Sequence, residues 1–299
     1  MDPIPTKTLH WQTPAGARRT VTWMEAGDPG GFPLIYAHGN PGCRLEIEFL
    51  HLSAKAHGFR LITMDRPGLG GSSLVQPYDL TRFAADTERL ADELGLAGFA
   101  LMGWSSGGPM VLAAAHALPE RVRAVAVVAS YTNFGDWPEG KELLDDFQLR
   151  GLVWLEDRPT LANRVLSVVR WTDLELPNFY LKLARKEMAP SDRQQLQDDA
   201  RAELFIRIQQ EALHQGVEGA MLDLEMQWQP WPFSLREVEV PVQLFQGRAD
   251  TFVPWPFAEH MVGALPRAQL TLADEYGHLM PMAPEVQRRM FRSLQPFCQ

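Results

Sequence analysis

The chain has 299 residues, and 28 Lys+Arg against 37 Asp+Glu give a formal charge of −9. A hydrophobic fraction of 45% and a charged fraction of 22% exclude a disordered chain and a fibrous repeat, and the length holds one large α/β domain or two small ones with a full core. The acidic balance argues against a nucleic-acid partner, which calls for a basic footprint.

In chain order, Arg19 to Ala26 is β-rich and stops at the turn Gly27-Asp28-Pro29-Gly30-Gly31. Pro33 to Ala37 is a short apolar run, as in a strand buried on both faces, and ends at His38-Gly39-Asn40-Pro41-Gly42. Arg60 to Met64 is the next such run and ends at Asp65-Arg66-Pro67-Gly68. The period then changes. Leu80, Phe83, Ala84, Thr87, Leu90, Ala91 and Leu94 recur at steps of three and four, which predicts a helix capped by Asp79 and stopped by Gly95. Phe99 to Met102 is a strand, Ser106 to Leu118 a helix of small residues, and Ala124 to Ala129 another apolar strand. Repeated β-then-α units predict a parallel sheet with helices on both faces.

From Phe134 to about Leu235 the pattern is helical, punctuated by Pro138, Pro159, Pro177 and Pro190. Ser191 to Gln194 reads as a capping box, followed by Leu196, Ala200, Leu204, Ile208 and Ala212 at steps of four. The α/β pattern resumes at Pro241 to Gln246 and Ala268 to Ala273, and a last helix runs from Pro284 to Leu294. The expected organisation is a core of 1–133 and 236–299 carrying a helical elaboration at 134–235.

The strongest chemical signal is Gly103-Trp104-Ser105-Ser106-Gly107, directly after a strand and opening a helix. A tight strand-to-helix turn holds its central residue in a strained backbone region, and flanking glycines relieve the crowding. Ser105 is then a nucleophile exposed at the sheet's carboxyl edge. A serine hydroxyl is weak at neutral pH and needs a base. His278, in the loop after the last strand, is the candidate. A carboxylate must fix its tautomer, and Asp250 follows the strand Pro241 to Gln246, with Asp136 as the rival acid. An oxyanion needs two donors, expected from the main chain of Asn40 and of Ser106. No metal-ligand spacing such as HExxH occurs, and neither a metal nor a cofactor is expected.

These motifs, in this order, resemble the α/β-hydrolase fold superfamily over residues 20–296. The resemblance implies a mostly parallel eight-stranded sheet flanked by helices, with a helical lid inserted after the sixth strand. It also implies the chain order Ser105, Asp250, His278 for a catalytic triad, and a structural loop at Asp65 to Gly70. Relatives with an aspartate nucleophile are set aside because the position is Ser105. The elbow also departs from the Gly-Gly-Ser-Trp-Gly of proline iminopeptidases.

The reading is a serine hydrolase acting by acyl transfer on esters of small to medium hydrophobic acids. Hydrolysis of C–C bonds, cofactor-free perhydrolase chemistry and a receptor with slow turnover are the alternatives. Trp104, Trp137 and Met280 are candidate substrate contacts, although lid aromatics equally serve as packing between lid and core. The only two cysteines, Cys43 and Cys298, belong to no cluster and suit a reducing compartment. With no charged leader before an apolar stretch and no membrane-length apolar run, a cytoplasmic protein with a small-molecule substrate is expected. Oligomeric state is left open.

Overall fold

The computed structural model describes residues 4–13 and 16–298, without the side chain of Phe147. Positions 1–3, 14, 15 and 299 of the expected core lie outside the described residues. Eight strands form one sheet: β1 Thr6–Gln12, β2 Arg18–Gly27, β3 Phe32–Ala37, β4 Phe59–Met64, β5 Phe99–Trp104, β6 Val122–Val128, β7 Val242–Gly247 and β8 Ala268–Ala273. Their order is β1-β2-β4-β3-β5-β6-β7-β8. The pairings β1–β2 and β2–β4 are antiparallel, and every other pairing is parallel. The sheet is mostly parallel and flanked by helices, as expected.

Its apolar runs are explained by burial on both faces. α1 (Ile47–Ala56) and α11 (Pro284–Leu294) pack on one face with Leu34, Tyr36, Met102 and Phe245. α2 (Leu80–Glu93), α3 (Gly107–Ala117) and α10 (Pro256–Ala264) pack on the other with Ile35, Ile62, Leu101 and Leu244. Asp79 caps α2 by accepting from the Arg82 amide at 2.8 Å, and Gly95 after α2 is left-handed at φ +65°. β1 was not legible as a strand. It lies at the sheet edge, and of its seven residues only Trp11 is buried, so it carries no alternating apolar signal.

Between β6 and β7 the chain forms α4 Asp146–Asp157, α5 Pro159–Glu175, α6 Pro177–Glu187, α7 Pro190–Gln195, α8 Asp199–Leu213 and α9 Glu218–Trp228. α5, α6 and α7 each start on a proline, which fits the first turn because its missing N–H would be unpaired there. The single helix expected from Ser191 is a correction. α7 ends at Gln195, and α8 starts afresh with Asp198 accepting from the Arg201 amide at 2.9 Å. Pro190 takes the first helical position, so Ser191 falls inside the turn and caps nothing in α7. No helix among the described residues is long and apolar enough to cross a membrane.

Candidate active site

The parallel strands end along one edge, and the expected residues follow those ends. β5 is buried along its whole length and delivers Ser105 at φ +55°, a left-handed conformation that a residue with a side chain rarely adopts. The turn is packed too tightly for alternatives. A side chain at Gly103 would collide with the Gly107 carbonyl, and one at Gly107 with that of Ala37. The Ser105 amide donates to the Val128 carbonyl at 2.9 Å, and the Ser105 carbonyl accepts from Ser130 Oγ at 2.9 Å and from the Gly108 amide at 3.0 Å. α3 starts two residues after Ser105, so its N-terminal amides lie beside the hydroxyl.

The loop after β3 lies against this turn: a Cβ on Gly39 would stand 3.7 Å from that of Ser105. Buried groups grip the loop from behind. Glu46 accepts the Gly39 amide on both oxygens at 3.1 Å and the Tyr36 hydroxyl at 2.7 Å. Arg66 donates to the His38 carbonyl at 2.7 Å and the Gly39 carbonyl at 2.8 Å, and pairs with Asp223 of α9 at 2.5 Å. Among the described residues the amides of Asn40 and Ser106 have no acceptor. Their side chains face the helical segment. Asn40 Nδ2 donates to the Ala220 carbonyl at 3.0 Å, and Ser106 Oγ donates to Gln227 Oε1.

Asp250 and His278 meet: Nδ1 of the imidazole is 2.9 Å from Oδ2 of the carboxylate. Nε2 of the imidazole has no hydrogen-bond partner among the described residues. Asp136 goes elsewhere, accepting from Ser234 Oγ at 3.1 Å and the Leu235 amide at 2.7 Å. Burial opposes a charged imidazole at His278. The charge and hydrogen bond of Asp250, with the nearby charges of Asp192 and Glu46, outweigh it and hold the imidazole above its ordinary range. Burial pushes the Glu46 carboxyl up to about 7, against the pull of its Tyr36 and Gly39 donors.

Of the candidate substrate contacts, Trp104 donates its indole N–H to the His278 carbonyl at 3.0 Å and packs against its ring with centroids 5.5 Å apart. It therefore supports the His278 loop. Trp137 stacks on His260 at 5.0 Å and meets Phe257 edge-on, so its ring is occupied by α10. Met280 is fully buried in the core beside α11. Sequence reasoning missed Glu46, Arg66, Asp192, Asp223 and Gln227. Arg66, Asp192, Asp223 and Gln227 act across long sequence separations and Glu46 reaches back seven to ten residues, and a single polar or charged residue in a helix or loop carries no local sign of either.

The alpha/beta hydrolase fold family model matches residues 33–283. The chain is 28% identical over 281 residues to the dihydrolipoyllysine-residue acetyltransferase component of the acetoin cleaving system of Pseudomonas putida, covering 92% of this chain and 67% of that protein. It is 31% identical over 227 residues to the pimeloyl-(acyl-carrier protein) methyl ester esterase of Nitrosomonas europaea, covering 74% and 78%. A shorter match, 33% identical, joins 36% of the chain to 35% of the proline iminopeptidase of Neisseria meningitidis. A thermophilic esterase from Thermogutta terrifontis superposes with a TM-score of 0.71 at 20% identity, covering 98% of this chain and all of that one. With the sheet order and the strand-edge loops already described, these matches establish that the chain belongs to the alpha/beta hydrolase fold family.

Proposed function

We propose that the protein is a serine hydrolase that cleaves esters of small to medium hydrophobic acids by acyl transfer. The observation that carries this reading is the 2.9 Å Asp250–His278 hydrogen bond at the edge where Ser105 sits in a left-handed turn. Ser105 Oγ attacks the ester carbonyl while His278 Nε2 takes its proton. The carbonyl oxygen becomes an anion held by the amides of Asn40 and Ser106. The tetrahedral adduct collapses, the C–O bond to the alcohol breaks, and His278 returns the proton to the leaving oxygen. Water then repeats the cycle on the acyl-enzyme, releasing the acid and restoring Ser105.

Residues 134–235 act as the lid over the core of 1–133 and 236–299. An apolar cluster spans both: Tyr131 and Phe134 after β6, Val253 beside the acid, Leu152 and Leu155 of α4, and Trp228 of α9. It suits an acyl chain better than a charged group. The esterases among the relatives support ester chemistry.

The test is steady-state hydrolysis of p-nitrophenyl esters of increasing acyl length, with the native protein beside Ser105→Ala. Multiple turnovers are expected from the native protein, falling by on the order of 10⁶ in the variant. The base works when neutral, so kcat/KM should rise with pH through a midpoint above the ordinary histidine value of about 6.5. Turnover that survives Ser105→Ala, or no turnover on any ester, would overturn the reading.

A further inference from the structure

Gly277, His278 and Leu279 are three consecutive residues whose amides all turn to α7. The Gly277 amide donates to Ser191 Oγ at 2.9 Å. The His278 and Leu279 amides donate to the two oxygens of Asp192, each at 2.9 Å. Two of the loop's own bonds are longer, Tyr276 N to Ala273 O at 3.3 Å and Met280 N to Gly277 O at 3.4 Å, while Met282 N to Leu279 O is 2.9 Å. Gly277 has no room for a side chain, because one would collide with the Asp192 carboxylate.

Asp192 is 1% exposed, and the hydrogen-bond partners of its carboxylate among the described residues are those two amides. A buried carboxylate without a cation is costly unless dipoles and nearby positive charge compensate it. Here backbone N–H groups and the imidazole compensate in part, and burial still holds the Asp192 carboxyl above its ordinary range. We propose that Asp192 is a positioning residue for the base: from α7 it fixes the backbone of His278 and adds a second negative charge beside the imidazole. The inference rests on the reading of His278 as that base.

The charged groups facing His278 are Asp250 from the β7 loop, Asp192 from α7 and Glu46 from the turn before α1. Those facing Asp192 are His278 and Asp250. Asp250 orients the ring through Nδ1, whereas Asp192 orients the main chain that carries it. The consequence is a link between the helical segment and the base: moving α7 away withdraws both the grip on the loop and a charge that favours the imidazolium.

The experiment compares the native protein with Asp192→Asn and Ser191→Ala. It reads kcat and KM on the best ester, the pH profile, and the His278 ring titration by NMR. Asp192→Asn should lower kcat by about 10²-fold, the scale of a slightly misplaced catalytic group, with KM changed less than about two-fold. Both the acid limb of kcat and the His278 titration should move to lower pH, because a negative charge beside the imidazole is lost. Ser191→Ala removes one hydrogen bond and no charge, so it should cost about five-fold in kcat and leave the titration in place. A folded Asp192→Asn protein with unchanged kcat and an unmoved His278 titration would overturn the proposal. If no ester is turned over, the hydrolase reading fails, while the NMR titration still decides for or against Asp192. Should Asp192→Asn not fold, Asp192→Ser, which keeps one acceptor, replaces it. If both variants unfold, the role is structural support and the proposal is overturned.

Discussion

Asp250 and His278, the proposed acid and base, reach one hydrogen bond from two loops that are held in different ways. The carboxylate of Asp250 is held by donors of its own loop, although the helical segment also reaches that loop: Thr251 Oγ1 donates to the Glu187 carbonyl at 2.6 Å and Gln148 Nε2 to the Phe252 carbonyl at 2.7 Å. Asp250 Oδ1 accepts the amides of Phe252 and Val253 at 2.9 Å, and Oδ2 accepts Gln246 Nε2 at 3.2 Å, all within seven residues of chain. The base's loop relies on groups far away in sequence: Ser191 and Asp192 on α7, and the Trp104 indole on its carbonyl. The contrast teaches that the Asp250 side chain is oriented by donors of its own loop, whereas the main chain of His278 is oriented by acceptors on the helical segment. A change in the first loop should therefore alter chemistry without loosening the structure. A change in the supports of the second should alter both.

The sharpest test of that contrast is Asp250→Asn. The side-chain oxygen still accepts the two amides, so the loop should hold and the melting temperature should shift little. The imidazole loses its tautomer control and the charge that stabilises its protonated form, and kcat should fall by on the order of 10⁴. Steady-state kinetics alongside a thermal melt checks both halves. A large drop in melting temperature would mean that the charge of Asp250, and not only its accepting oxygen, holds the loop.

Arg66→Met should act the other way, on structure first. Arg66 is 1% exposed and joins the loop behind Asn40 to Asp223 of α9. Removing it leaves a buried carboxylate unpaired, at a cost of roughly 3–5 kcal/mol. Denaturant unfolding should show this loss, and the double variant Arg66→Met with Asp223→Leu should recover part of it. Failure of the double variant to recover any stability would mean that the guanidinium's hold on the two loop carbonyls matters more than its pairing with the carboxylate.

The same division explains what could be read from the sequence. Strand-to-turn transitions are local, so the elbow at Ser105, the turn at Asn40 and the loop at Asp250 were each visible from a short apolar run followed by glycines. His278 was visible because its position in the chain follows the last strand. Ser191 shows where such reading fails. Its spacing to Gln194 has the form of a capping box, yet Pro190 starts the helix one residue earlier and the serine hydroxyl accepts the Gly277 amide instead. A polar side chain placed to satisfy local donors is equally able to satisfy distant ones. Only packing decides between them. β1 was missed for a different reason, since an edge strand with one buried residue has no pattern to find.

Glu46 tests the oxyanion side of the comparison through pH. Its folded-state carboxyl is pushed up to about 7 from the reference 4.5, so the folded protein holds this proton more tightly than the unfolded chain. The resulting stabilisation is fully present below about pH 4.5 and is lost as pH rises through about 7. A shift of that size corresponds to ~3 kcal/mol. Glu46→Gln should remove this dependence, because a neutral amide still accepts the Gly39 amide and the Tyr36 hydroxyl. Urea unfolding at pH 5 and pH 8 should show the difference between native and variant closing or reversing by about that amount. Parallel curves would mean that Glu46 titrates alike in both states.

The smallest expected effect supplies the control. Asp79 caps α2 on the sheet face formed with α3 and α10, and its carboxylate accepts the Arg82 amide at 2.8 Å in an exposed position. Asp79→Ala should cost about 1 kcal/mol of stability, the usual worth of an N-cap. Because α2 holds neither the acid's loop nor the base's, kcat and the His278 titration should stay at native values. Asp192→Asn and Asp79→Ala would then separate cleanly: one lowers kcat and moves the titration, while the other lowers stability alone. A kcat loss in Asp79→Ala comparable to that of Asp192→Asn would show that any general loosening disarms the base, and the special dependence of the His278 loop on α7 would not stand.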